Sequence, residues 1–231
     1  MGLMEMEDIQ PKDDKLKVVI VEDEPLFCEL LQMALSGTGQ FDVIDAYDEA
    51  EGALKPIIDA KPDVAIVDIS LKGDMNGVFL GIELRRRLPD MGIVLLSNHR
   101  LTSILHTLPP HNLNGWGYLL KGTVQNVETL IRTMRMAAGG MLVLDPEIVA
   151  TQKPKKYGTL ANLTPRQYQT LQLMAQGYTN QGIAERLAVS VKSVENHTNQ
   201  VYSELGIDRT DRRVQPRVQA VLQFLKQTQG G

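Results

Sequence analysis

The chain from residue 16 to residue 140 alternates short apolar runs with stretches of helical periodicity. The apolar runs are rich in branched aliphatic residues and have the length of buried strands, at residues 17–21, 42–46, 64–68, 93–96 and 116–120. Apolar residues at helical spacing fall between them, at residues 25–35, 49–60, 77–88 and 124–138. Five strands interleaved with helices predict an α/β doubly wound five-stranded parallel sheet.

Prolines modify two of the predicted helices. Pro56 lies inside the second helical stretch, where it is expected to kink or split the helix. Pro109 and Pro110 follow the fourth strand, and they must end any helix that precedes them. The helix between residues 100 and 115 is therefore predicted to be short.

The C-terminal part of the chain has only helical patterns. Residues 145–161 lose periodicity and gather Pro, Lys and Gly, which is typical of an interdomain linker. Thr164 to Gln167 form a capping box before a helix that ends near Gly177, and a second helix covers residues 180–187. Ser190 caps a third helix that ends at Leu205, and residues 217–226 form the last. The short turn between the second and third helices predicts a helix-turn-helix.

These patterns divide the chain into four parts. They are an acidic flexible tail at 1–15, a sheet domain at 16–140, a linker at 141–161 and an all-α helix-turn-helix domain at 162–231. The net charge of −4 is uneven, because residues 160–231 hold 8 Lys and Arg against 5 Asp and Glu. The basic excess hints that the last part faces nucleic acid.

Composition excludes several classes of protein. The single cysteine, Cys28, rules out a disulfide framework or a zinc cluster of cysteines within one chain, and it fits a reducing compartment. No apolar run reaches the roughly 20 residues that span a bilayer, and the N-terminus lacks the form of a signal peptide. We therefore expect a cytoplasmic protein without a membrane partner.

Polar residues gather where the predicted strands end. Glu22 and Asp23 follow the first strand, Asp68 ends the third, Ser97 follows the fourth and Lys121 follows the fifth. In an open parallel sheet, ligands bind beyond these carboxyl ends. Clustered carboxylates need a cation, and oxygen ligands suit Mg²⁺. A carboxylate can also attack a phosphoryl group, whose oxygens a hydroxyl and an ammonium can bind.

These five residues, each at the end of its strand, resemble the receiver domain of two-component response regulators, which has a flavodoxin-like fold. The resemblance covers residues 16–140. It implies that Asp68 is the phosphoacceptor and that a sensor histidine kinase or a small phosphodonor supplies the phosphoryl group. It also implies that Glu22, Asp23, Asp68 and the backbone carbonyl of Ser70 hold Mg²⁺.

The same resemblance implies sensing roles for three other residues. Ser97 and Lys121 contact the phosphoryl group, and Ser97 and Tyr118 act as the switch. Read from the sequence alone, Tyr118 is equally compatible with plain packing beside Trp116.

The C-terminal domain resembles the LuxR/FixJ-type DNA-binding domain. It carries that family's L-T-P-R opening at 163–166, its I-A-x-x-L helix at 183–187 and its S-V-x-N-H segment at 193–197. The two resemblances in this order imply a response regulator of the NarL/FixJ class. Such a protein is a DNA-binding transcriptional regulator and not an enzyme, and it is expected to form a homodimer when active.

Residues on the third C-terminal helix divide into two faces. Val194, Thr198, Val201 and Leu205 form the stripe expected to be buried. The polar face is predicted to enter a DNA major groove, with possible contacts from Lys192, Glu195, Asn196, His197 and Asn199. An ordinary solvated face is the alternative.

The chain departs from the receiver and LuxR-type patterns in three places. Lys72 replaces the usual proline four residues after Asp68, and Gly77 lies one residue late. The stretch from Ser97 to Lys121 is longer than usual. Residues 208–216 form an arginine-rich insertion, in which Arg213 is predicted to contact DNA phosphates.

Two alternatives follow from these departures and from the residue types at the strand ends. An atypical regulator would use the receiver fold as a docking surface without phosphorylation. An aspartyl-phosphate phosphatase also uses Asp, Ser and Lys at strand ends, but it usually needs an acid two residues after the nucleophile, where Ser70 stands. A phosphatase would also leave the helix-turn-helix without a role.

Overall fold

The structure is a computed structural model that describes residues 15–98, 113–154, 158–210 and 215–229. The predicted acidic tail and most of the predicted short fourth helix lie outside these residues, as does Arg213. Helices and strands below are numbered in chain order within the described residues.

The N-terminal half is a parallel sheet of six strands in the order β2-β1-β3-β4-β5-β6. They are β1 (Leu16–Val21), β2 (Phe41–Tyr47), β3 (Val64–Asp68), β4 (Gly92–Ser97), β5 (Trp116–Leu120) and β6 (Val143–Leu144). The doubly wound parallel sheet is confirmed, and the predicted count of five is corrected to six. The added strand β6 pairs with β5 through Gly117 and Tyr118. Two residues are too few to show a strand pattern in the sequence.

Helices pack on both faces of this sheet. They are α1 (Pro25–Ser36), α2 (Ala50–Ala60), α3 (Gly77–Arg87) and α4 (Val127–Ala138). Pro56 lies inside α2, which runs on without a break, so the predicted split is wrong. Proline removes one backbone hydrogen bond, and the buried side chains of Ala53 and Ile57 hold the helix against the sheet on either side of it.

The segment predicted as an irregular linker contains regular structure. It holds α5 (Pro146–Thr151), the short strand β7 (Lys153–Pro154) and a 3₁₀ turn (Thr159–Asn162). Asp145 caps α5, because its buried carboxylate accepts hydrogen bonds from the backbone N–H of Glu147 at 2.7 Å and of Leu120 at 2.9 Å. The start of α5 is thereby attached to the end of β5, a long-range contact that local periodicity does not encode.

The C-terminal half is helical as predicted. It contains α6 (Pro165–Ala175), α7 (Asn180–Leu187), α8 (Val191–Glu204) and α9 (Pro216–Gln227), followed by β8 (Thr228–Gln229), which pairs with β7. Both hydrogen bonds of the capping box between Thr164 and Gln167 are present. Ala188 adopts the left-handed conformation in the turn between α7 and α8. Among the described residues, no helix is long and apolar enough to cross a membrane.

One aromatic residue joins the two halves. The ring of Tyr178, between α6 and α7, has the guanidinium of Arg132 from α4 at 4.1 Å and that of Arg186 from α7 at 4.2 Å. Arg132 also donates from Nε to the carbonyl oxygen of Gln176 at 3.0 Å. Burial lowers the pKa of Arg132, and the neighbouring ring of Tyr178 opposes that effect.

Candidate functional site

Three carboxylates converge at the carboxyl end of the sheet. Val21 on β1 is paired with Val67 on β3, so Glu22 and Asp23 begin where Asp68 ends its strand. One carboxylate oxygen from each of these acids lies within 4.8 Å of the others. Glu22 and Asp68 are buried, and Asp23 is half-buried. Strand pairing alone therefore brings together acids that are 46 residues apart in the sequence.

Lys121 places a buried ammonium among these acids. Its Nζ lies 2.8 Å from Oε1 of Glu22, 3.1 Å from Oδ2 of Asp68 and 3.2 Å from Oε1 of Glu24. The backbone N–H of Lys121 donates to the carbonyl oxygen of Ser97 at 2.8 Å, which continues the β4–β5 pairing beyond the strand. The ring of Phe27 packs below the ammonium, with its centroid 4.8 Å from Nζ.

Burial and charge act in opposite directions on this lysine. Burial alone would lower the pKa of Lys121, but its hydrogen bonds to Glu22 and Asp68 and their negative charges raise it. Burial raises the pKa of Glu22, against the hydrogen bond from Lys121, and the nearby charge of Asp68 raises it further. The ammonium is thus firmly protonated, while the ionised form of Glu22 lacks full compensation.

The backbone around Asp68 is held closely. The N–H of Ser70 donates to Oδ1 of Asp68 at 3.1 Å, so both carboxylate oxygens accept a hydrogen bond. Gly77 begins α3 directly against this segment. A Cβ atom at position 77 would lie 1.9 Å from the carbonyl oxygen of Asp68, so only glycine fits there. The displaced glycine noted in the sequence is therefore required by packing.

The other two residues with predicted sensing roles lie on neighbouring strands. Ser97 ends β4 and is buried, one position beyond Leu96, which pairs with Asp68. Tyr118 lies on β5 and is fully buried in the hydrophobic core. The packing expected as the plain alternative for Tyr118 is present, and its role as a switch stays a prediction.

The acidic cluster has the donors that a divalent cation requires. Oε2 of Glu22 is buried and has no hydrogen-bond partner among the described residues. A buried carboxylate oxygen without a partner is costly unless a cation or a donor reaches it. An orphaned oxygen beside two further carboxylates fits an ion such as Mg²⁺, which prefers oxygen ligands.

Two charged residues at this site were not assigned a role from the sequence. Glu24 belongs to the same acidic run as Glu22 and reaches Lys121 from its own side chain. Lys72, on the loop after β3, pairs with Asp23 at 3.0 Å. The run of acids could have indicated Glu24. Only the fold of the loop brings Lys72 to Asp23.

The predicted recognition helix is α8. Val194, Thr198, Val201 and Leu205 are buried, as expected for the inner stripe. Lys192, Asn196 and Asn199 are exposed, whereas Glu195 and His197 are half-buried.

Glu195 and His197, the two half-buried residues of this set, have surroundings that bear on their predicted contacts with DNA. Lys192 pairs with Glu195 at 3.0 Å on the surface of the helix. Nδ1 of His197 is buried and has no partner among the described residues. Three of the five polar residues predicted to contact DNA are thus exposed on the surface of α8.

Comparison with known proteins assigns both halves to families. A protein-family model described as response regulator receiver domain matches residues 18–135, which is more than half of the chain. The model described as bacterial regulatory proteins, luxR family, matches residues 161–214.

Individual relatives extend across both halves. The transcriptional regulatory protein DegU of Brevibacillus brevis is 29% identical over 94% of this chain and 96% of its own length. The DNA-binding transcriptional activator DevR/DosR of Mycobacterium tuberculosis is 28% identical over 84% of this chain and 90% of its own. A solved structure of the response regulator RcsB from Salmonella typhimurium has 18% identity and a TM-score of 0.49, and covers 92% of this chain and 97% of its own.

Proposed function

The chain belongs to the response regulator receiver domain family, and on that premise we propose that phosphorylation of Asp68 controls DNA binding by its LuxR-type domain. It is a DNA-binding transcriptional regulator and not an enzyme that turns over an external substrate. The observation that carries the proposal is the contact of Lys121 with both Glu22 and Asp68 at the end of the sheet.

In the proposed reaction, a carboxylate oxygen of Asp68 attacks the phosphorus of a phosphohistidine or a small phosphodonor. A bond forms between that oxygen and phosphorus while the bond to the donor's nitrogen or oxygen breaks, and the donor leaves with the electron pair. The hydrogen bond from Ser70 orients the Asp68 carboxylate. Lys121, already 3.1 Å from Asp68, offers its ammonium to a phosphoryl oxygen, and the hydroxyl of Ser97 offers a donor to another.

The acidic cluster supports a magnesium site. Glu22, Asp23 and Asp68 would supply carboxylate oxygens, and the backbone carbonyl of Ser70 would supply a fourth protein ligand. When bound, Mg²⁺ neutralises charge on the phosphoryl oxygens. The orphaned oxygen of Glu22 is the observation that favours this site.

The proposed output is DNA recognition by α8. Asn196 and Asn199 are exposed and of a residue type that reads adenine, and Lys192 offers a cation to a phosphate or a guanine. We assign phosphate or backbone contact to His197, contact with a cytosine to Glu195, and phosphate contact to Arg213. A homodimer would place two recognition helices about one helical turn of DNA apart. A sensor histidine kinase is the proposed partner of the receiver, and DNA as the target implies a cytoplasmic location.

A labelling experiment tests this function. The full chain is incubated with Mg²⁺ and either acetyl phosphate or phosphoramidate, and phosphorylated protein is separated on a phosphate-affinity gel. Incorporation that requires Mg²⁺, together with a change in affinity for promoter DNA, is the expected result. Sequence-specific DNA binding without any incorporation would instead support the phosphorylation-independent alternative. Steady turnover of the phosphodonor with no DNA binding would support the phosphatase.

A further inference from the structure

Lys72 forms an ion pair that the receiver resemblance does not supply. Its Nζ lies 3.0 Å from Oδ2 of Asp23, one of the three acids of the cluster. The residue occupies the position where receivers commonly have proline, four residues after Asp68. Proline carries no charge, so the ammonium group of Lys72 adds a positive charge at the edge of the proposed metal site.

The backbone that carries Lys72 is anchored on both sides. Leu71 packs its side chain in the hydrophobic core. The backbone N–H of Met75 donates to Oε1 of Glu51 on α2 at 2.7 Å. The loop therefore fixes the backbone of Lys72 near Asp23, and only the flexible lysine side chain has to move for the ion pair to break.

Two ammonium groups contact the three acids of the cluster and the neighbouring Glu24. Lys121 contacts Glu22, Glu24 and Asp68, and Lys72 contacts Asp23. Each of the four carboxylates thus touches a lysine. The carboxylates outnumber the ammonium groups by four to two, so the site keeps an excess of negative groups that a cation can neutralise.

The two lysines differ in how easily their ammonium groups can move away from the carboxylates. The side chain of Lys121 is 7% exposed and pairs with three carboxylates, whereas that of Lys72 is 82% exposed and pairs with one carboxylate among the residues that the structure describes. An exposed ammonium regains its hydration when it swings away, so breaking its ion pair costs little. A metal ion that binds the carboxylate of Asp23 therefore has to displace the ammonium group of Lys72.

We propose that Lys72 is a displaceable counter-ion of the metal site, which competes with Mg²⁺ for Asp23 and so weakens metal binding by the receiver. The inference rests on the proposed magnesium site and adds to it a residue that sets its affinity. Lys72 acts through Asp23 and does not touch the phosphoryl group. Its effect is electrostatic, so it must weaken as salt screens the pair.

Calorimetric titration of the full chain with MgCl₂ tests this proposal. At low ionic strength, Lys72→Gln should bind Mg²⁺ about two- to five-fold more tightly than the wild type, the range expected for the loss of one exposed ion pair. Lys72→Arg keeps the charge and should bind like the wild type. The gain should shrink in about 0.5 M KCl, where the screening length falls well below 10 Å.

Two controls separate this effect from a general change in charge. Lys55→Gln removes a lysine that is about as exposed as Lys72 and that pairs with Asp59 on α2, and it should leave Mg²⁺ affinity unchanged. In an Asp23→Asn background, which removes the partner carboxylate, Lys72→Gln should give no further gain. All of these variants alter exposed or half-buried side chains, so folding is expected to be retained.

The outcomes distinguish the two levels of the proposal. If Mg²⁺ binds the wild type and Lys72→Gln equally tightly, or if Lys55→Gln gives the same gain, Mg²⁺ binding stands and the role of Lys72 is overturned. If Mg²⁺ binds neither the wild type nor any variant, the proposed magnesium site is wrong, and the counter-ion role of Lys72 is wrong with it. A gain confined to Lys72→Gln, lost in the Asp23→Asn background, supports the competition.

Discussion

The acidic site and α8, the proposed recognition helix, place their charged residues in opposite surroundings. At the end of the sheet, Glu22, Asp68 and Lys121 are buried, and the ammonium of Lys121 lies within hydrogen-bonding distance of both carboxylates. On α8, Lys192 and Asn196 face solvent, and the only ion pair that Lys192 makes within the described residues is a surface pair with Glu195.

The difference reflects what each region must do. A phosphoryl transfer needs groups fixed in place in a site of low dielectric, where each charge interacts strongly. DNA brings its own high charge density, so a binding helix needs only exposed donors on a stable support. At the acidic site the charged residues are themselves buried and paired, whereas on α8 the polar residues lie on the outer side of a buried apolar stripe.

The largest expected effect follows from removing the proposed nucleophile, Asp68. Asp68→Asn should abolish incorporation from acetyl phosphate, because an amide is not a nucleophile toward phosphorus. Phosphate-affinity gels of the variant and the wild type measure this, with Asp59→Asn as an exposed control acid on α2. Labelling of Asp68→Asn at the wild-type rate would show that another residue is the acceptor.

The next effect concerns stability. Lys121→Met leaves Glu22 and Asp68 buried without their cation, and breaking such a pair costs about 3–5 kcal/mol in the free energy of unfolding. The pKa of Glu22 is already raised by burial and rises further without Lys121, so folding favours its protonated form. Stability linked to this group is present at low pH and is lost as pH rises through the folded-state pKa.

Urea unfolding at two pH values measures this effect. The deficit of Lys121→Met relative to the wild type should be larger at pH 7 than at about pH 5, because the raised pKa of Glu22 lets its carboxyl take up protons as the pH falls. Lys55→Met serves as the matched control, because its pair with Asp59 is exposed. A deficit that is the same at both pH values would contradict the electrostatic cause.

The DNA-binding side should respond to single changes without loss of stability. Asn196→Ala and Asn199→Ala should each relax base preference by about 1–3 kcal/mol, as loss of a bidentate base contact does. Lys192→Ala should instead lower affinity on all sequences and reduce the salt slope by about 1. Mobility shifts at two salt concentrations distinguish these cases.

Lys226→Ala, which removes an exposed charge from α9, is the control for the DNA experiments. It should leave both affinity and base preference near the wild type. Equal weakening by Lys192→Ala and Lys226→Ala would mean that net charge matters and that α8 is not the contact surface.

The smallest effect concerns the joint between the two regions. Arg132→Met removes one guanidinium from the face of Tyr178, which contributes about 1 kcal/mol. Trp116, the single tryptophan, reports on the receiver, whereas circular dichroism reports on both halves. The unfolding midpoints from these two signals should separate more in Arg132→Met than in the wild type. Arg166→Met, which removes an exposed arginine that bonds within its own helix, should leave them unchanged.

Sequence patterns alone predicted those strands and helix ends that depend on interactions between residues close together in the chain. Continuous apolar runs such as residues 64–67 identify strands buried on both faces, because a central parallel strand has no polar side. The capping box at Thr164 and the glycine after α8 mark helix ends through bonds made within a few residues. Acids at the ends of the first and third strands also indicated the site, since parallel strands bring those ends to one edge.

Only the tertiary structure decided features that depend on contacts between distant residues. The strand β6 depends on pairing with β5, which leaves no local pattern. The start of α5 has a local signal in the Asp145 cap followed by Pro146, but its attachment to β5 through Leu120 does not. The pair of Lys72 with Asp23 depends on how one loop folds over another strand's end. The physical reason is the same in each case: propensity acts over a few residues, whereas these interactions form only after the sheet has brought remote segments together.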